Sequence, residues 1–197
     1  MNNYEYIIAS LPVITTDVKA SENLDPDQLK EWILSQCSDS DKRLVNLLYE
    51  GFDEGKLDKE FYQKALSSND TFIKEYFAFD LAVRNAKVAY LNKALGRPSG
   101  TDIFMESPEV EESQKIDAVL AQEDILGRER GLDDLMWDKI SLLNTFDYFN
   151  IDAILGFLSK MHIVERWLRL DEEKGKEMFR NLVSEVRGTF KGVEFKG

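Results

Sequence analysis

Only one side chain in the sequence is suited to proton transfer near neutral pH. It is His162, set inside the run from Phe149 to Leu170. Histidine serves as a metal ligand or general base only with partners, such as cysteines, an ordered carboxylate pair, or a nucleophile it can activate. The sequence supplies none of these at a useful spacing. Cys37 is the single cysteine and lies on the apolar side of an expected helix, which makes it a small packing residue. The segment Gly51-Phe-Asp-Glu-Gly55-Lys56 has one residue too few between its glycines for a phosphate loop. Leu57 also stands where a metal-binding hydroxyl belongs, so a helix end and turn is expected there.

Carboxylates are abundant. Glu109, Glu111 and Glu112 lie in a polar stretch, Glu123 and Asp124 at an expected helix end, and Asp133 and Asp134 near an expected helix start, where the helix dipole favours them. Glu165 differs because it falls within the broad apolar arc of its helix. An unpaired buried carboxylate is costly, so a structural ion pair is expected, with Arg169 four residues on or Arg84 on another helix. An enzyme built from Glu165, His162 and either Tyr76 or Tyr90 would need these groups to converge. On one helix, however, His162 and Glu165 point about 60° apart. No catalytic residue, metal or cofactor is therefore expected.

The elements that position these residues read as helices. From Phe149 to Leu170, Ile154, Phe157, Leu158, Met161, Val164 and Leu168 form one apolar arc at about 100° per residue. Ile163, Trp167 and Leu170 form a narrower strip on the other side and are the candidate interface. The expected outcome is that this strip packs within the fold with Trp167 largely buried. Asp25-Pro26 opens a helix with a capping carboxylate and proline at its first position. Ser38 or Ser40 caps the next, and Asp58 a third. A long helix is expected from Asp70 to Leu95, stopped by Gly96-Arg97-Pro98. Further helices are expected at about 114–126, 131–146, 149–170 and 172–188. Residues 4–14 fit either a short strand or a helix ending before Pro12. The fold class is all-α, a bundle of seven to eight helices with one long helix near 70–96. Residues 1–97 form an N-terminal region, 98–112 a linker and 113–197 a C-terminal region, with one continuous domain as the alternative.

The 197 residues are 43% hydrophobic and 31% charged, the balance of a folded chain with a sizeable core. A net charge of −12 removes the positive field that nucleic acids and anionic membranes require. No run reaches the ~20 apolar residues of a membrane span, and no signal peptide is visible, so a cytoplasmic location is expected.

Several of these residues also carry a resemblance. Phe157-Leu158, then Leu168-Arg169, then Gly175 after a charged turn, resemble a helix near the end of the C/d subunits of A-type and V-type rotary ATPases. Tyr4, Tyr6 and Ala9 are similar to the N-terminal tyrosine pattern of that family. The helix with Asp80 and Asn85, followed by Arg97, is similar to its aspartate–asparagine–arginine helix. Met161, His162 and Val164 stand where the family helix usually carries acids, and the spacing from Asp80 to Asn85 departs from the family's. The chain resembles a short C/d-like subunit of bacterial V-type ATPases. The resemblance implies a non-catalytic component that links the central stalk to the membrane rotor ring in proton or sodium transport. It would lie at the inner membrane through partner subunits, without inserting. A helical adaptor unrelated to the ATPase is the second reading, and a small-molecule enzyme the third.

Overall fold

A computed structural model describes residues 4–17 and 24–169. The described residues form eight α-helices and no strand. These are α1 (Glu5–Ser10), α2 (Pro26–Gln36), α3 (Asp39–Gly51), α4 (Lys59–Leu66), α5 (Thr71–Ala94), α6 (Ser113–Leu120), α7 (Ile125–Leu143) and α8 (Ile151–Arg169). A single 3₁₀ turn at Glu54–Lys56 joins α3 to α4, where the sequence suggests a turn and no phosphate loop. None of these helices is long and apolar enough to cross a membrane.

Local chemistry accounts for most of the helix starts. An oxygen on Asp25, Ser38, Asp58, Asp70, Asp124 and Asn150 accepts a backbone N–H three residues on. Each such cap satisfies a donor the helix cannot pair and contributes about 1 kcal/mol. Of the two candidates for α3, Ser38 is the cap. The 24 residues of α5 end at Ala94 with Leu95 as the C-cap, and the next residue, Gly96, takes a positive φ of 65° that disfavours other side chains. Of residues 4–14, Glu5–Ser10 form a helix that ends before Pro12, and α1 is held to the start of α8 by Tyr4 N–H donating to the Phe149 carbonyl at 2.7 Å.

Several boundaries differ from the pattern reading, and the helix expected to reach about 126 ends at Leu120. The seventh helix begins at Ile125, six residues before the expected 131, and ends at Leu143. Gly127 and Gly131 weaken the helical signal of that first turn, but Asp124 caps it and Gly131 lets Val119 of α6 pack directly against the backbone. Asp133 and Asp134 consequently sit in mid-helix. Leu170, Gly175 and the expected helix at 172–188 lie outside the described residues.

α5 packs against α4, α6, α7 and α8, while α8 also covers α2 and α3. α7 and α8 form an antiparallel hairpin. Asp133 meets Arg166 and Trp167 at one end, Lys160 sits 5.0 Å over the Trp137 ring in the middle, and Asn144 lies against Gly156 at the other. One apolar cluster runs through all of this, from Tyr4 and Ile7 through Phe72, Phe77 and Leu81 to Ile140, Leu158 and Ile163. Edge-to-face pairs such as Phe61–Phe77 at 4.9 Å and Tyr76–Phe77 at 5.0 Å add about 0.5–1.5 kcal/mol each beyond burial.

Residues 98–112 carry turns, yet they are tied to the helices on both sides. Asn85 donates to the Met105 carbonyl and Asn92 to those of Ser99 and Thr101, while Phe104, Met105 and Val110 pack on the core. Glu112 pairs with Lys139 of α7 at 3.3 Å, with both side chains largely buried. The two regions on either side of this segment thus share one core.

Candidate functional site

The helix that carries His162 and Glu165 places them in structural contacts. The His162 ring stacks on Phe52 with centroids 3.9 Å apart and planes 1° from parallel. Burial, followed by the Arg166 and Arg169 charges, pushes its pKa down to about 4, so the imidazole is neutral near pH 7. Glu165 pairs with Arg169 on the same face. Arg84, the other candidate partner, instead lies 5.0 Å over the Phe104 ring, with its charge acting on Asp80. Of the enzyme-like partners, Tyr76 is buried and bonded to Ser159, and Tyr90 lies on α5 with Arg128 donating to its hydroxyl at 2.6 Å. These groups do not converge on one cavity.

The candidate interface strip divides. Ile163 is buried, Trp167 is partly buried and packs against the core, and Leu170 lies outside the described residues. Trp167 remains partly open because its indole N–H donates to Asp133 Oδ2 at 2.6 Å, which holds the ring at the rim of the hairpin. Arg166 pairs with that same carboxylate oxygen, and the Arg130 guanidinium sits 5.2 Å over the indole ring. Asp133 is therefore the hub of this end of α8. Sequence reasoning missed that role because it placed Asp133 at a helix start.

The residues behind the rotary-ATPase resemblance occupy separate places. Asp80 accepts from the Tyr62 hydroxyl at 2.5 Å, and burial raises its pKa although Tyr62, Arg84 and Lys87 pull it down. Asn85 holds the Met105 carbonyl, and Arg97 follows the end of α5. Arg97 lies on the edge of an open groove of about 900 Å³ whose floor is Ala86, Ala89, Tyr90 and Ala94 of α5 facing Leu120 of α6.

A second surface lies at the opposite turn of the hairpin. Between α7 and α8 the chain reads Thr145-Phe-Asp-Tyr-Phe-Asn150, and Phe146, Tyr148 and Phe149 are all exposed. Leu142, one helical turn before Phe146, is exposed as well. Beside them, Asp152 in the first turn of α8 feels the charges of Asp70, the cap of α5, then Asp147 of the turn and Asp41 of α3. Asn150 donates to Asp147 at 2.5 Å, and the Tyr4 hydroxyl to Asp41. Burial and these neighbours push the Asp152 pKa up to about 7. Asp147 and Asp152 are five residues apart, but Asp41 and Asp70 come from elements distant in sequence, so spacing alone gave no sign of the cluster. The aromatic run of the turn was visible in the sequence and was absorbed into a helix end. Among the described residues, no His, Cys, Asp and Glu side chains form a group arranged to hold a metal ion.

Comparison with known proteins adds one finding. A family model described as a protein of unknown function, DUF2764, matches residues 104–189. The match begins in the segment before α6, takes in α6, α7 and α8, and includes the aromatic turn, Asp133, His162 and Trp167. No curated protein and no solved structure matches the chain.

Proposed function

We propose that this chain is a non-catalytic, C/d-like helical component of a V-type rotary ATPase, seated between central stalk and rotor ring. One observation carries the mechanical character of this reading. The polar side chains that the sequence singled out for chemistry are engaged by neighbouring side chains, while large apolar side chains gather at the exposed turn between α7 and α8. His162 is neutral against Phe52, Glu165 is tied to Arg169, and Asp133 is held by Arg166 and Trp167. Leu142, Phe146, Tyr148 and Phe149 instead face outward, as expected of a surface that a partner covers. The order of Phe157-Leu158 and Leu168-Arg169 along α8, with the tyrosines at the N-terminus, supports the rotary ATPase as the assembly. Nucleotide would be handled by other subunits, and membrane contact would run through the ring.

The test is affinity capture of the full chain, under native conditions, from cells that make a V-type ATPase. Stalk and ring subunits should be recovered in near-stoichiometric amounts, and ion pumping should fail when the chain is removed. A complex that assembles and pumps without it would overturn the proposal. Recovery of a different stable partner in place of those subunits would assign the chain to an adaptor role outside the ATPase.

A further inference from the structure

The aromatic turn and the carboxylates beside it form one surface. Phe146 is 85% exposed and Tyr148 64%. The Tyr148 and Phe149 rings lie 6.4 Å apart, which makes a continuous aromatic ledge. Asp147 stands within this run, and Asp152 begins the helix that follows it. Tyr4 links the remaining side, because its backbone N–H bonds to Phe149 while its hydroxyl bonds to Asp41.

We propose that this surface docks a basic amphipathic helix of a partner protein, whose apolar side covers Phe146, Tyr148 and Phe149 and whose lysines or arginines meet Asp147, Asp152 and Asp70. The inference concerns the chemistry of the partner and holds whether or not that partner belongs to a rotary ATPase. Charge complementarity selects the occupant. Aromatic side chains flanked by charge are the usual centre of a protein interface, where arginine is the favoured counterpart. The carboxylates are not grouped to share a metal ion, so separate cationic side chains suit them better. A second copy of this chain would bring the same acids against themselves and is disfavoured by like-charge repulsion. Burial first, and then the charges of Asp70, Asp147 and Asp41, raise the pKa of Asp152. A cation placed there stabilises the ionised form, so docking near pH 7 should release a proton.

The probe is a model helical peptide of about 18 residues with leucine on one face and lysine on the other, set against its glutamate counterpart. The full chain should bind the lysine peptide, more weakly at high salt, and should not bind the glutamate peptide. Phe146→Ser, at a site too exposed to disturb folding, should weaken binding about tenfold. Calorimetry at pH 7 in buffers of different ionisation enthalpy should detect proton release in the parent protein and none in Asp152→Asn. Glu54→Gln with Glu60→Gln removes two charges elsewhere and should leave affinity unchanged. The proposal is overturned if that control weakens binding as much as Asp147→Asn does, because overall charge would then explain the attraction. Equal binding of both peptides, or dimerisation abolished by Phe146→Ser, would overturn it in favour of a non-selective apolar patch or of self-association.

Discussion

Replacing Asp152 by asparagine should make the protein more stable, and by an amount that depends on pH. In the folded chain its carboxyl is raised from 3.8 to about 7 by burial and by Asp70, Asp147 and Asp41. In the unfolded chain it titrates near its ordinary value. Between those values the folded state holds a proton that the unfolded state has lost, so folding weakens as pH rises from about 4 to about 7. Above pH 7 the whole penalty is present. At about 1.4 kcal/mol per pH unit the full displacement corresponds to roughly 4 kcal/mol. Asp152 is only half-buried, so solvent screening reduces this to about 2 kcal/mol. Its place in the first turn of α8 opposes the penalty, since the helix dipole favours a carboxylate there by about 0.5 kcal/mol. The net expectation at pH 8 is a gain of about 1–2 kcal/mol for Asp152→Asn, shrinking to nearly nothing at pH 4. Urea unfolding at pH 4, 6 and 8 measures it, with Asp134→Asn as a control for general charge removal. A variant less stable than the parent at pH 8, or a gain independent of pH, would refute the reasoning.

His162 runs in the opposite sense. Its folded pKa is depressed to about 4, so its contribution is complete above about 6.5 and lost as pH falls towards 4. His162→Gln should therefore flatten the acid limb of the stability profile by about 2 kcal/mol, seen in the same urea series. Gly51→Ala should destabilise in spite of alanine's better helix propensity. Its Cβ would come 2.3 Å from the Phe77 ring and 2.7 Å from Phe61, both fixed in the core. Overpacking of about 1–3 kcal/mol outweighs a propensity gain of about 1, and thermal unfolding should show the net loss. Asp133→Ala leaves the Trp167 N–H and the Arg166 guanidinium without their shared acceptor. It should cost about 2–4 kcal/mol and shift the Trp167 fluorescence, whereas Asp133→Asn should cost less.

How much of this was legible depended on whether the information was local. Asp25, Asp58 and Asp70 announce their helices because a cap is a bond between residues three apart. The stop at Gly96 is read as easily, because a left-handed residue favours glycine wherever the chain leads. The start of α7 was misplaced for the converse reason. Gly127 and Gly131 look like helix breakers, and only the neighbouring α6 shows that the lack of a side chain at Gly131 admits Val119. Asp133 and Trp167 illustrate the same limit at the candidate site. Their bond joins residues separated by 34 positions, and neither spacing nor composition pairs them.

The sequence by itself therefore determined an all-helical chain, the caps and most of the boundaries, an acidic net charge, and a single histidine. These follow from periodicity, turn chemistry and counting, all of which act over a few residues or over the whole chain. Only the tertiary structure decided that Glu165 pairs with Arg169 while Arg84 turns to Phe104, and that Trp167 stays at the rim. It alone gathered Asp41, Asp70, Asp147 and Asp152 beside an exposed aromatic turn. Electrostatic coupling and burial depend on distance in space, and helix packing brings together residues that the sequence holds more than a hundred positions apart.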